Sequence, residues 1–77
     1  SKPSAEDVFE KIYAIMNELA TNGYAIIMVS SEMPEVLGMA DRVVVMRNGR
    51  VSGIMENKDL TQEMILEHSL KSAEGGE

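Results

Sequence analysis

The chain has no cysteine and no tryptophan, and only one histidine among its 77 residues. Without cysteine it can form neither disulfides nor thiolate metal sites. The single histidine, His68, excludes a metal site built from histidines and leaves one imidazole as a possible catalytic base. Basic residues are also few, at 7 against 13 acidic ones, and the net charge of -6 argues against nucleic acid as a partner.

Long apolar runs and glycine-rich loops are missing as well. No run approaches the roughly 20 residues of a membrane span, and the N-terminus does not resemble a signal peptide. The six glycines fit neither of the common phosphate-loop patterns. We therefore expect one small, acidic, soluble domain over residues 1–71, without membrane insertion, and a disordered tail over 72–77.

The sequence does contain clear helix and strand patterns, separated by turn signals. The predicted helices are 4–21, 32–39 and 61–71, and the predicted strands are 24–29, 42–47 and 50–55. Ser4 and Thr61 are expected to cap the first and last helices, and Asn22-Gly23 is expected to end the first. The inward-facing side chains of the last helix are expected to be Met64, Ile65 and Leu66. Asn48-Gly49 predicts a tight turn between the last two strands. The order predicts a small α/β unit, α-β-α-β-β-α, with a parallel strand pair, a C-terminal antiparallel hairpin, and helices packed on the sheet.

The polar stretch Ser30-Ser31-Glu32 follows the first predicted strand and begins the second predicted helix. Two hydroxyls and a carboxylate at the end of a strand can form an active site, but a nucleophilic serine needs a base with an orienting partner. The only imidazole, His68, lies on another element. Ser31 near the N-cap and Glu32 at the helix N-terminus also have structural explanations. The residues themselves therefore predict a binding or structural piece with no catalytic residue.

Seven methionines raise the question of a soft binding surface or a copper site. They are scattered, one or two to each predicted element, and methionine routinely fills gaps in cores. This distribution favours core filling, and we predict no metal site.

The stretch IYAIMNELATNGYAIIMVSSEMPEVLGMADRVVVMRNGRVSG, residues 12–53, resembles the C-terminal part of an ATP-binding cassette (ABC) domain. It is most similar to the second cassette of the ATPase subunits of ribose, galactose and xylose importers. Where that family has the switch pattern V-T-H-D, this chain has Val29-Ser30-Ser31-Glu32. The resemblance therefore places Ser31 at the position of the histidine that contacts the γ-phosphate of ATP, with Ser30 and Glu32 as flanking cofactor-binding candidates. A serine hydroxyl can donate one hydrogen bond there but carries no charge.

The resemblance also implies a setting for the chain. In the family, the phosphate-binding loop, the signature motif and the Asp-Glu pair lie upstream of this region, so ATP and Mg²⁺ are expected only in the intact domain. The chain alone is expected to bind no cofactor and to be inactive. The implied partners are the remainder of the ATPase domain and, through it, a membrane permease, in the cytoplasm at the inner face of the membrane.

Strand order in the family's sheet adds one expectation. There, another strand separates those matched by 24–29 and 42–47. We therefore expect these two strands to pair directly, or two copies of the chain to associate through exposed strand edges.

Two alternative functions stay open. The start SKPSAEDVFEK, residues 1–11, does not match the family's aspartate-bearing loop, which favours a non-enzymatic α/β interaction mini-domain, engineered or recombined from this segment. The other alternative is a small regulatory hydrolase that uses Ser31 and Glu32.

Overall fold

The computed structural model describes residues 2–74 of the chain and the side chains of residues 2–70. Three helices and two strands follow one another in the order α1, α2, β1, β2, α3. The helices are α1 (Ala5–Thr21), α2 (Met33–Met39) and α3 (Gln62–Glu74), and the strands are β1 (Arg42–Arg47) and β2 (Arg50–Glu56). This mixture of helices with a small sheet is the α/β class that the sequence predicts.

Helix α1 begins and ends at the residues that its sequence signals predict. The Ser4 hydroxyl accepts the Asp7 N–H at 3.2 Å, as an N-cap residue does. At the other end, Gly23 adopts a φ of 93°, and its N–H donates to the Ala20 carbonyl. The predicted helix over 4–21 is confirmed.

Strands β1 and β2 form an antiparallel hairpin. Asn48 and Gly49 connect them with φ values of 51° and 76°. A two-residue turn of this kind needs positive φ at both positions, which asparagine and glycine tolerate best. The predicted C-terminal hairpin is confirmed.

A β-bulge in β2 provides the attachment site for α3. The pairing of the strands skips Ser52 at a register shift, so Ser52 is the extra residue of the bulge. Its carbonyl oxygen lies 2.9 Å from Nε2 of His68 on α3. The imidazole lies so close over Gly53 that a side chain at that position would collide with it.

Helix α3 packs across both strands of the hairpin and also contacts α2. The buried hydrophobic side chains of the described residues are Val43 on β1 and Ile65 on α3, at 6% and 5% exposure. The prediction that Met64 and Leu66 also face inward is wrong. Both are about half exposed, and Met64 lies at the edge of the face of α3 that contacts the hairpin.

Helix α3 begins where the sequence predicts but ends later than predicted. The Thr61 hydroxyl accepts the Met64 N–H at 3.2 Å, which confirms its predicted capping role. The helix continues to Glu74, so residues 72–74 of the predicted disordered tail are helical. Residues 75–77 of that tail lie outside the described residues.

Residues 24–29, predicted as the first strand, form no strand. Within residues 2–74 the sheet consists of β1 and β2 only, so the predicted parallel pairing of 24–29 with 42–47 is wrong. A strand persists only where a neighbouring backbone takes up its N–H and C=O groups, and β1 pairs with β2 alone. Association of two copies through strand edges stays a prediction.

The prediction that all helices pack on the sheet is wrong for α1. None of its residues is buried, because the segment 24–29 that follows it does not join the sheet and so does not bring α1 onto the hairpin. The apolar stripe of α1 is therefore left uncovered by the described residues.

We expect the substitution G53A to destabilise the chain by about 1–3 kcal/mol, because the added Cβ would collide with the His68 ring. Removing the ring as well removes the collision. In an H68A background, G53A should therefore cost less than about 0.5 kcal/mol. Urea denaturation followed by circular dichroism measures all four members of this cycle.

The matched control is G38A, since nothing lies within 4 Å of the position that a Cβ would take at Gly38. Alanine has the higher helix propensity, so G38A should be neutral or stabilising by up to about 1 kcal/mol. A G53A variant whose cost is the same with and without the His68 ring would contradict the packing described here.

Candidate functional site

The polar turn Ser30-Ser31-Glu32 joins the irregular segment 24–29 to α2. The Ser30 hydroxyl donates to Oε1 of Glu35 at 3.0 Å and accepts the N–H of Glu32, also at 3.0 Å. Glu35 lies in the first turn of α2. One half-buried hydroxyl therefore fixes the path of the turn against the start of the helix.

Ser31 is in a different environment from its neighbour. It is exposed, and within residues 2–74 its hydroxyl has no hydrogen-bond partner. Among the described residues, the turn therefore has one hydroxyl without a hydrogen-bond partner, that of Ser31, next to one that both donates and accepts, that of Ser30.

Ser31 lies next to the N-cap of α2, as the sequence predicts, but it does not cap the helix, because the N-cap residue is Glu32, which makes no side-chain cap bond. A capping side chain bonds the N–H of the second or third helical residue. Here the second is Pro34, which has no N–H, and the N–H of the third, Glu35, donates to the Glu32 carbonyl at 3.1 Å. Neither of these two positions therefore offers a free N–H to a serine hydroxyl.

Helix α1 reaches the turn through Tyr13. The rings of Phe9 and Tyr13 stack, with centroids 6.4 Å apart and planes inclined by 18°. Partial removal of the phenol from water, and then its hydrogen bond to the Glu35 carboxylate and the negative charge of that group, raise the pKa of Tyr13 above its ordinary value of 10.0. Glu35 thus contacts Ser30 on one side and Tyr13 on the other, which links the turn to α1.

The far end of α2 is held by Asn57, which follows β2. Its Nδ2 donates to the carbonyls of Leu37 and Ala40 at 2.8 and 2.7 Å, and its backbone N–H donates to the Asp41 carbonyl at 2.9 Å. The last carbonyls of a helix lack partners within the helix. Asn57 satisfies two carbonyls at this end, and so fixes α2 and its turn relative to the hairpin.

In the described part of the chain the turn is not accompanied by a catalytic set. His68 is on α3, and its ring contacts Ser52 of the hairpin and neither serine of the turn. No group of three histidine, cysteine, aspartate or glutamate side chains in the described residues could hold a metal ion. The arrangement can offer a ligand one free hydroxyl on a backbone that the Ser30 contacts hold in place.

A large apolar surface is exposed beside the turn. The chain exposes 6503 Å² in all, whereas a compact protein of this size exposes about 4,700 Å². Its radius of gyration is 14.9 Å, against about 11.5 Å for a compact domain of this length. We use the name open apolar surface for the exposed large hydrophobic residues of α1 and segment 24–29, which are Val8, Phe9, Ile12, Ile15, Leu19, Tyr24, Ile26, Ile27 and Val29.

Despite this apolar surface, none of the helices in residues 2–74 has both the length and the hydropathy needed to cross a lipid bilayer. The open apolar surface of α1 is one stripe of an otherwise charged helix, with Glu6, Asp7 and Glu10 among its first residues. Such a stripe is typical of a helix that packs on a protein surface.

Comparison with known proteins finds close relatives for most of the chain. It is 54% identical over 67 residues to the ribose import ATP-binding protein RbsA of Geobacillus kaustophilus, a match that covers 87% of this chain and 13% of that protein. It is 56% identical over 68 residues to the galactose/methyl galactoside import ATP-binding protein MglA of Clostridium perfringens, covering 86% and 13%. With RbsA of Bacillus subtilis the identity is 55% over 56 residues, covering 73% and 11%. No family model and no solved structure matches the chain.

Identity at this level over most of the chain shows that it is homologous to a segment of the nucleotide-binding subunits of ABC transporters. More particularly, it is homologous to a segment of the ATP-binding subunits of ribose and galactose importers, as the sequence resemblance predicts. The chain spans about 13% of the length of the first relatives it matches.

Removing one hydroxyl at a time from the turn separates the roles of its two serines. We expect S30A to destabilise the chain by about 1 kcal/mol, because the Glu32 N–H and the Glu35 carboxylate both lose a partner. S31A should change stability by less than about 0.5 kcal/mol, as exposed substitutions generally do. Urea denaturation compares the two neighbours, and equal costs for S30A and S31A would contradict this assignment.

Proposed function

We propose that this chain supplies the switch turn and a packing surface to the second nucleotide-binding cassette of a sugar importer. The observation that supports the proposal is its identity of 54% and 56% to ribose and galactose import subunits over most of its length. In the intact domain, ATP with Mg²⁺ is the cofactor, and its hydrolysis drives sugar uptake.

Within the turn, Ser31 is the residue that contacts the γ-phosphate. Its exposed hydroxyl can donate one hydrogen bond to a phosphate oxygen. Ser30 and Glu32 are positioning residues, because the bond between the Ser30 hydroxyl and the Glu32 N–H holds the backbone on both sides of Ser31. Glu35 completes this support by accepting the Ser30 hydroxyl.

The isolated chain neither binds ATP tightly nor hydrolyses it. The turn and the first turn of α2 carry the carboxylates of Glu32 and Glu35, and the net charge of the chain is -6. The negative charges of the chain repel the negatively charged triphosphate, and one hydrogen bond from a neutral hydroxyl does not offset that repulsion. The compensating positive charge comes from Mg²⁺ and from the rest of the ATPase domain.

The remainder of that domain is also the partner that covers the open apolar surface. It provides a neighbouring strand for residues 24–29, whose backbone groups have no sheet partner among the described residues. Through this domain the chain acts on a membrane permease, at the cytoplasmic face of the membrane.

The second candidate is a non-enzymatic interaction module, and the same open apolar surface favours it. In that case the surface binds a partner protein and the turn has only a structural role. The two candidates differ in whether Ser31 affects nucleotide binding once the surface is covered.

A chimera in which this chain replaces the matched segment of the Bacillus subtilis relative tests the choice. We expect the chimera to bind MgATP in its second cassette. S31A should weaken that binding roughly tenfold to a hundredfold, since a hydrogen bond to a charged group contributes about 1.5–3 kcal/mol. Titration with a fluorescent ATP analogue measures the affinity, and the isolated chain should show no binding in the same assay.

The control is S69A, which removes a hydroxyl on α3 outside the turn. A folded chimera that binds ATP equally well with S31A and with S69A would refute the role of Ser31. A folded chimera that binds no ATP at its second cassette would favour the interaction module. Micromolar binding of MgATP by the isolated chain would overturn its predicted inactivity.

A further inference from the structure

A shallow cavity between α3 and the hairpin is lined by residues whose side chains carry soft ligand atoms. Its volume is about 270 Å³, and its lining residues are Met55 from β2 with Met64, Glu67 and His68 from α3. Two methionines and a histidine therefore line one cavity. The sequence does not reveal this grouping, because the three side chains come from two elements on either side of a loop.

The fold itself explains why these side chains meet. Met64 and His68 are four residues apart on α3, so they project from the same face of the helix. Met55 pairs with Val43 across the hairpin, and directly opposed residues project to the same face of a sheet. Val43 is buried and α3 packs over it, so Met55 faces the same helix.

The histidine is oriented by a backbone contact that selects the tautomer of its neutral ring. The Ser52 carbonyl can only accept a hydrogen bond, so Nε2 of His68 carries the proton in the 2.9 Å contact. In the neutral ring the lone pair then lies on Nδ1. Histidines that bind metals typically donate their other N–H to a carbonyl or carboxylate in this way. Gly53 leaves room for the ring because it has no side chain.

We propose that Met55, Met64 and His68 bind one Cu(I) ion, through the two thioether sulfurs and Nδ1. Thioether ligands select soft monovalent ions such as Cu(I), whereas Mg²⁺ prefers oxygen. The Glu67 carboxylate lines the same cavity and adds a negative charge that favours a cation. The site is separate from the Ser30-Ser31-Glu32 turn, so it does not depend on the proposed function.

Silver(I) is a suitable probe, because it shares these ligand preferences and is not readily oxidised or reduced in the assay. We expect the 77-residue chain to bind one Ag(I). In ¹³C spectra of the methionine methyl groups, Met55 and Met64 should shift on Ag(I) addition while Met46 does not. Met46 is 61% exposed and does not line the cavity. This readout needs no variant.

Methionine-to-leucine variants test the ligands directly, because leucine keeps the volume and removes the sulfur. M55L and M64L should each weaken Ag(I) binding at least roughly tenfold, as loss of a metal-site group typically does. M46L is the matched control and should leave the affinity unchanged. Circular dichroism verifies that each variant is folded.

Cu(I), titrated anaerobically against a chromophoric competitor, should rank the variants in the same order. Excess Mg²⁺ should not displace either ion. Unchanged Ag(I) affinity in a folded M55L/M64L double variant would overturn the proposal. An equal loss of affinity in M46L, or methyl shifts that leave out Met55 and Met64, would overturn it as well.

Discussion

The pairing of β1 with β2 is the interaction on which the arrangement of the other elements depends. Asn48 and Gly49 both adopt positive φ, which sets a two-residue turn and with it the register of the hairpin. That register places Val43 on the face that α3 covers, where it is buried together with Ile65. The bulge at Ser52 in turn offers a carbonyl to α3, and Asn57 beyond β2 holds the end of α2.

This hairpin unit has a small core, and the rest of the chain is attached to it by a few polar contacts. Helix α1 reaches the unit through Tyr13 and Glu35, while its apolar stripe stays exposed. Burial of apolar side chains normally dominates folding free energy. The open apolar surface therefore suits a segment whose remaining burial takes place against a larger body, consistent with relatives of which it spans about 13%.

The sequence predicts those parts of the fold that depend on neighbouring residues. The caps at Ser4 and Thr61 and the turn at Asn48-Gly49 lie within three residues of the groups they act on, and all three are confirmed. The strand predicted over 24–29 fails because a strand depends on a backbone elsewhere in the chain or in another body.

In the candidate site, too, the sequence predicts the local features and not the contacts between distant residues. The sequence predicts the position of the polar turn, but not which of its two serines is engaged. That depends on Glu35, five residues beyond Ser30. Asn57 and His68 contact residues that lie 16 to 20 positions away in the sequence, and no local sequence pattern predicts these contacts. Contacts between side chains of different elements, including those that line the cavity beside α3, cannot be predicted from the sequence pattern of a single element.

Amide hydrogen exchange of residues 24–29 tests most directly the claim that this chain is a segment of a larger ATPase domain. In the isolated chain, diluted until it is monomeric, these amides should exchange at nearly the rate of an unfolded peptide, while the amides bonded between β1 and β2 are protected. In the chimera with the Bacillus subtilis relative, residues 24–29 should become as protected as the hairpin. Strong protection of 24–29 in the isolated monomer, or none in the folded chimera, would contradict the account.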